Sequence, residues 1–244
     1  MIPYIGNKYT LSDFILPNCP KNPDFWVEPF GGMMGVFFNL NLKEYPDTQF
    51  IYNDINPLNS NLLEQLKKDK FIEKILKTKV NKEIFIESYD NLNSRSKVSK
   101  AYSWLIILCC GDLRDLMSQE YKGDFNFEML KYKIPRYTEY FKRLTILNLD
   151  FKKVLEKYDS ENTFFYLDPP YMGYEGYYTN HNFKHDSHLE LHDRLIELKA
   201  IWALSYYDFP QLKEWYKDFK MIYKKHNLGT EWLIIKLHHT PFLV

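Results

Sequence analysis

The chain has 244 residues, 45% of them hydrophobic and 26% charged, with 32 Lys and Arg balanced by 32 Asp and Glu. That length can bury one full α/β core, and a formal charge of zero excludes a general polycation, so any polyanionic partner must meet a local positive surface. With 20 Tyr, 18 Phe, five Arg and three Ala, the composition leans toward residues of AT-rich codons and points to a low-GC virus, phage or bacterium as source.

In chain order, residues 25–30 form a short apolar run that predicts a buried strand, ended by Gly31-Gly32. Helical spacing over 33–42 follows. A second strand is expected over 49–53, after which Asp54 and Pro57 open a turn into a helix over 58–66. Residues 72–92 and 100–108 are spaced as helices, while 111–135 is polar and turn-rich around Gly123. Strands follow at 145–149 and 163–167. A helix is predicted over 186–199, with Ser187 and Glu190 spaced as a capping box. The last strands are expected at 201–205, 221–223 and 232–236. Repeated strand–helix units predict a Rossmann-like α/β sheet with ligands at the carboxyl ends of its strands. Residues 70–144 break that rhythm and are predicted to be an inserted small, mainly helical subdomain between two parts of the main domain, 1–69 and 145–244.

Cys19, Cys109 and Cys110 are odd in number and lack C-x-x-C spacing, which points to reduced thiols and a cytoplasmic or otherwise intracellular setting. No apolar leader follows Met1, and the longest apolar run, 104–110, is too short to span a bilayer; no membrane contact is expected. Residues 94–153 carry twelve Lys or Arg against seven Asp or Glu, a local net of +5.

The chemistry concentrates in Phe164-Phe165-Tyr166-Leu167-Asp168-Pro169-Pro170-Tyr171. An apolar strand runs into an acid, two prolines that cannot continue the ladder, and an aromatic ring. A carboxylate and the Pro169 carbonyl can each accept one N–H of an exocyclic amine, and Tyr171 can stack on the ring that carries it. The Glu28-Pro29-Phe30-Gly31-Gly32 turn allows close backbone approach to a ligand, and Asp54 after the second strand suits ribose hydroxyls. Alone, these last two features describe a plain βαβ turn equally well.

Together the elements resemble the Dam-like (D12) class of DNA adenine-N6 methyltransferases over nearly the whole chain. Tyr4-Ile5-Gly6-Asn7-Lys8 is similar to that family's aromatic-x-Gly-x-Lys element, Glu28 to Gly32 to its glycine motif, and Asn53-Asp54-Ile55-Asn56 to its ribose-binding acid. Leu149-Asp150-Phe151 resembles its adenine-holding segment, Asp168 to Tyr171 its catalytic motif, Ser205-Tyr206 its Ser-Asn pair, and Glu231-Trp232-Leu233-Ile234 its closing strand. The resemblance implies S-adenosylmethionine held by Tyr4, Lys8, Phe30, Gly32, Asp54, Asp150, Phe151 and Asp168. It implies catalysis by Asp168, Pro169, Pro170 and Tyr171 on an adenine flipped out of double-stranded DNA. It places contacts to that DNA on Arg114, Lys122, Asn126, Lys131 and Lys133.

The departures are Met34, where many members have a second glycine (Gly35 is the candidate to compensate), and Cys109-Cys110-Gly111, where the family has Phe-Asn-Gly. No recognition sequence is therefore carried over. RNA adenine or cytosine N4 methylation, and a catalytically idle subunit, are the alternatives. Nothing distinguishes a monomer from a homodimer. His181, His185, His188 and His192 form a loose cluster, read as surface or helix-capping residues with no metal expected. Tyr174, Tyr177 and Tyr178 are candidates to line or cover a base pocket.

Overall fold

A computed structural model describes residues 2–113, 118–174, 183–226 and 229–237. Among these, seven strands form one sheet: β1 (Phe25–Glu28), β2 (Gln49–Asn53), β3 (Leu144–Leu147), β4 (Thr163–Leu167), β5 (Ile201–Tyr207), β6 (Lys220–His226) and β7 (Gly229–Lys236). Their order is β3-β2-β1-β4-β5-β7-β6, parallel except for β7, which runs antiparallel to β5 and β6. The strand order reverses between β1 and β4, and the crevice at the carboxyl ends of those two strands is where an open α/β sheet binds ligands.

Alternation along each strand divides the core into two layers. Trp26, Phe50, Tyr52, Phe164, Tyr166 and Ala203 face one side, with helices α2 (Pro57–Leu66), α3 (Asp69–Lys77), α4 (Lys82–Asn91), α5 (Lys97–Cys110) and α6 (Phe125–Lys142). Val27, Ile51, Phe165, Leu167, Trp202 and Leu204 face the other, with α7 (Phe151–Tyr158), α8 (His185–Glu197) and the short α9 (Leu212–Trp215). Each large apolar side chain buried in these layers contributes about 1.5–3 kcal/mol. A single turn, α1 (Ser12–Ile15), precedes β1. The helices of the 70–144 segment share the first layer: Phe71, Phe85, Trp104, Phe127 and Phe141 belong to the same apolar cluster as Phe37 and Phe50.

Four local expectations are corrected. Residues 33–42 form no α-helix but 3-10 turns at Phe37–Asn39 and Leu42–Glu44, because Met34 sits in the left-handed region at φ +50°, which ends any right-handed helix there. The 72–92 run is two helices, α3 and α4, broken where Thr78 turns extended and Asn81 caps α4 by accepting the Ile84 N–H. The turn-rich reading of 111–135 missed the start of α6. Its buried face, Phe127, Leu130, Ile134, Tyr137 and Phe141, follows helical spacing, so Pro135 on the opposite, exposed side is tolerated. Finally, α8 begins at His185, and Ser187 is its third residue rather than its cap: the Ser187 hydroxyl accepts the Lys184 N–H at 3.0 Å.

Candidate active site

The carboxyl ends of β1, β2 and β4 and the N-terminal segment 4–8 line a cavity that opens to solvent. Tyr4, Lys8, Phe30, Gly32, Asp54, Asp168 and Pro170 all line it, so seven of the residues singled out in the sequence converge on one space. Pro169, Tyr171, Asp150 and Phe151 do not line it.

On the glycine side, the backbone is held by side chains from β2 and the turn after it. The Gly32 N–H donates to Asp54 Oδ2 at 2.8 Å and the Asn56 N–H to Oδ1 at 2.7 Å, so both oxygens of the ribose candidate already accept a main-chain donor. Tyr52 donates its hydroxyl proton to the Gly32 carbonyl at 3.0 Å, and a Cβ on Gly31 would lie 2.3 Å from the Tyr52 ring. Gly32 has φ +48° and Met34 φ +50°. Met34 thus adopts the glycine-like conformation itself, at a cost of about 1 kcal/mol. Gly35 does not take over that role: it allows close packing, since a Cβ there would meet Asn7 Oδ1 at 2.2 Å and the Tyr9 backbone nitrogen at 2.6 Å.

Asn53, quoted in the sequence beside Asp54 but without a role of its own, ties three segments together. Its amide donates to the Pro29 and Leu149 carbonyls at 2.9 and 3.0 Å and its oxygen accepts the Leu149 N–H at 2.8 Å. Asn59 does the same at the rim, donating to the Tyr4 hydroxyl at 2.9 Å and accepting from Trp104 Nε1 at 2.9 Å. Asp150 caps α7 by accepting the Lys152 N–H at 3.0 Å. Phe151 is 8% exposed and packs its ring 5.2 Å from Phe30.

The opposite wall is a buried charge cluster. Lys8 Nζ lies 2.9 Å from Asp168 Oδ1 and 3.9 Å from Glu231 Oε1, and donates to the Gly6 carbonyl at 2.8 Å. Tyr171 donates its hydroxyl to Glu231 Oε1 at 2.5 Å. Its ring stacks on Tyr206 at 5.3 Å, beneath the Lys8 ammonium at 4.8 Å, and is 6% exposed, so a base stacking on it must enter against this packing. Burial opposes the Lys8 charge, but Asp168 and Glu231 outweigh it and hold the ammonium's pKa above the ordinary lysine value. Burial pushes Asp168 up, with Lys8 pulling it back. Glu231 is pushed up to about 7 by burial, against the pull of Lys8. Glu28, buried and holding the Trp26 indole N–H at 3.1 Å, is pushed up to about 8 by burial.

Glu231 is the member of this cluster left without a role in the sequence reading. Its signal was an acid at the head of an otherwise apolar strand, since carboxylates are almost never fully buried without a partner. The His188 expectation is also corrected: His188 is 1% exposed and pairs through Nδ1 with the Tyr206 hydroxyl, so it is neither a surface nor a capping residue. His192 Nε2 faces the Trp215 carbonyl at 2.9 Å. Among the described residues no group of three His, Cys, Asp or Glu could hold a metal ion.

The residues expected to meet DNA differ in their surroundings. Lys131 donates to the Thr78 carbonyl at 2.9 Å and pairs with Glu128 at 3.1 Å. Lys122 pairs with Glu120 at 2.5 Å and lies 3.9 Å from Asp112. Asn126 is exposed on the first turn of α6 and Lys133 is half-buried further along it. Tyr174 is 46% exposed, its ring 5.8 Å from that of Tyr207. Arg114, Tyr177, Tyr178 and His181 lie outside the described residues.

A family model for D12 class N6 adenine-specific DNA methyltransferases matches residues 4–229, from the segment bearing Tyr4 and Lys8 to the start of β7. The chain belongs to this family. The D12 chain is 26% identical over 197 residues to the Type II methyltransferase M.FokI of Planomicrobium okeanokoites, a match covering 73% of this chain and 30% of that protein. It is 25% identical over 195 residues to the Modification methylase StsI of Streptococcus sanguinis, covering 72% and 29%. The matched part of the D12 chain thus spans less than a third of the length of these relatives. Among solved structures, the rRNA methyltransferase aviRa of Streptomyces viridochromogenes overlaps 96% of this chain and 85% of its own at 14% identity, with a TM-score of 0.41. The Rossmann-like methyltransferase architecture of the D12 chain rests on its strand order and family membership. No helix among the described residues is long and apolar enough to cross a membrane.

Proposed function

We propose that this D12 chain transfers a methyl group from S-adenosylmethionine to the N6 amino group of an adenine flipped out of double-stranded DNA. The observation that carries the reading is the convergence of the Asp168 carboxylate with Tyr4, Lys8, the glycine turn and Asp54 on one cavity at the strand switch point. The wall chemistry suits that methyl donor. Asn7 Nδ2 is a buried amide donor without a hydrogen-bond partner among the described residues, and Asn7 lines the cavity, where a carboxylate or hydroxyl would satisfy it. Tyr4, Phe30 and Asp54 supply an apolar edge and a carboxylate for a nucleoside.

When bound, S-adenosylmethionine supplies a methyl group on positively charged sulfur, already activated for attack. The chain's own task is placement. Asp168 and the carbonyl of Pro169 accept the two N–H bonds of the target amine, turning the nitrogen lone pair toward the methyl group. The Asp168 carboxylate would take the amine proton released when the methyl group passes from sulfur to nitrogen, the carbon–sulfur bond breaking to leave a neutral thioether. Lys8 keeps that carboxylate oriented. Arg114, Lys122, Asn126, Lys131 and Lys133 are the proposed contacts to the duplex, and the 70–144 segment is the proposed target-recognition element.

Replacing Asp168 with Ala is expected to lower tritiated-methyl transfer to adenine-containing DNA by at least about 1000-fold, on the scale of losing a group that both orients and accepts a proton. The native fold should survive in circular dichroism. Wild-type protein should also be stabilised by saturating S-adenosylmethionine, by about 2.7 kcal/mol at a hundred times its dissociation constant. Full transfer by the Ala variant, or no stabilisation of the wild type, overturns the reading.

A further inference from the structure

Two carboxylates in the site share one ammonium. Lys8 Nζ is 2.9 Å from Asp168 and 3.9 Å from Glu231, and Glu231 reaches out of β7 to take the Tyr171 hydroxyl at 2.5 Å. Glu231 is 1% exposed and Lys8 6% exposed, so neither charge is relieved by water. β7 lies on the far side of β5 from β4, and no step proposed above uses it. A buried acid that grips two members of the catalytic cluster from outside it costs several kcal/mol in desolvation unless its partners compensate.

We propose that Glu231 is a positioning residue for methyl transfer: it divides Lys8 with Asp168 and fixes the Tyr171 hydroxyl, so that its ionisation sets how strongly Lys8 neutralises the carboxylate that receives the target amine. With Glu231 ionised, the ammonium is shared, and Asp168 keeps enough basicity to take the amine proton. With Glu231 protonated, the ammonium belongs to Asp168 alone and makes it a poorer acceptor. No proton of the reaction ends on Glu231; it acts through Lys8 and Tyr171.

The charged and titratable groups around Glu231 come from every neighbouring element. Lys8 faces it from the N-terminal segment, Asp168 and Tyr171 from beyond β4, Tyr166 from β4 and Tyr207 from β5. Lys224 is its register partner on β6 and is exposed. The Ser205 hydroxyl and the Tyr171 hydroxyl both favour the ionised form, and Asp168 opposes it. The charge of Asp168 also acts on Glu28, raising its pKa further. With Glu231 pushed up to about 7 by burial, its charge changes within the neutral range: it is ionised above and neutral below.

The inference rests on the methyltransferase reading, and the experiment separates the two. Single-turnover methyl transfer by the intact chain is measured from pH 5.5 to 9 at saturating S-adenosylmethionine and DNA. The wild-type rate is expected to rise through an apparent pKa near 7. The Glu231→Gln variant is expected to lose that limb and to run about 10- to 100-fold slower above it, the modest end of what acid–base groups contribute. Its affinity for S-adenosylmethionine should stay within about threefold, a difference under 1 kcal/mol. Glu28→Gln should keep the limb. Independently of activity, the carboxyl 13C resonance of Glu231, assigned by through-bond correlation to its own backbone, should titrate at lower pH in Asp168→Asn and at higher pH in Lys8→Met, because the first removes a like charge and the second the shared cation. A wild type that methylates no nucleic acid sinks the methyltransferase reading, while these NMR midpoints still decide the sharing of Lys8. A limb unchanged in Glu231→Gln, or midpoints unmoved by both substitutions, overturns the inference, and the NMR arm in the other two variants holds even where Glu231→Gln fails to fold.

Discussion

The carboxyl edge of the sheet and the helical 70–144 segment treat charge in opposite ways. At the edge, Lys8, Glu28, Asp54 and Glu231 are all at least nine-tenths buried, with Asn53, Asn56 and Asn59 packed among them. In the helical segment the buried polar residues described are Ser88 and Ser103, and the described Lys, Arg, Asp and Glu side chains lie at least partly in solvent. Burying an ion costs several kcal/mol unless partners compensate, so charge at the edge is a liability for folding that only an orienting task explains. The helical segment follows ordinary packing: an apolar face inward and charges outward, where they are free to meet a polyanion. Its outer surface even exposes aromatic rings, Phe125 at 73% and Tyr132 at 84%, beside Arg136 on the same side of α6.

The largest effect that tests this contrast is on Lys8. Lys8→Met removes the cation that Asp168 and Glu231 share. Stripping one partner from a buried pair costs about 3–5 kcal/mol. Asp168 keeps 20% of its side chain exposed, so about 3 kcal/mol is expected, measured by urea denaturation at pH 8. Adding Asp168→Asn should recover much of that loss, since it removes one of the two stranded carboxylates. A single-variant cost under about 1 kcal/mol, the scale of an exposed pair such as Lys142 with Glu139, would erase the distinction between the two regions.

Glu28 sharpens the contrast through pH. Its pKa is about 8 in the folded chain against an ordinary value of 4.5, because burial penalises its charge. A raised folded pKa means the native state holds a proton that the unfolded chain has released. The stability so gained is present below pH 4.5 and is lost as pH rises toward 8. Glu28→Gln, which keeps the shape and needs no proton, should flatten that decline and leave the protein more stable than wild type at pH 8.5, with little change at pH 5. Equal slopes for both proteins across pH 5–8.5, in thermal melts, would show that Glu28 is not buried as a neutral acid.

Much of the edge was legible because its chemistry is tied to backbone position. A strand that ends in Asp168-Pro169-Pro170-Tyr171 must deliver its acid at the sheet's carboxyl end, and Gly31-Gly32 and Asp54 follow β1 and β2 by the same logic. Strands β2 and β4 have the bounds expected from the sequence. What stayed hidden depends on tertiary neighbours. Glu231 gains its meaning from Lys8, more than 200 positions away, and Asn53 from Leu149. Met34 accepts a left-handed φ that its own side chain disfavours, because the turn it closes is fixed on both sides. In the helical segment, 3.6-residue spacing revealed that helices exist, but their breaks turned on single caps such as Asn81.

The smallest effect concerns two lysines two positions apart on α6, which a count of charge cannot tell apart. Lys131 has 18% of its side chain exposed, with its ammonium donated to the Thr78 carbonyl between α3 and α4 and paired with Glu128. Lys133 is half-buried and among the proposed phosphate contacts. If the segment keeps its charges for a partner, the two must behave differently. Lys131→Ala breaks a charged hydrogen bond to a main-chain carbonyl and should cost about 1.5 kcal/mol of stability. It should leave the salt dependence of DNA binding unchanged. Lys133→Ala should alter stability by less than about 0.5 kcal/mol. It should lower the slope of log affinity against log salt by about one, the signature of one lost phosphate contact. Binding isotherms at several salt concentrations separate these outcomes. Were Lys131→Ala the variant that lowers the slope, its anchorage to Thr78 would have to open on DNA, and the helical segment would be a moving part of the interface.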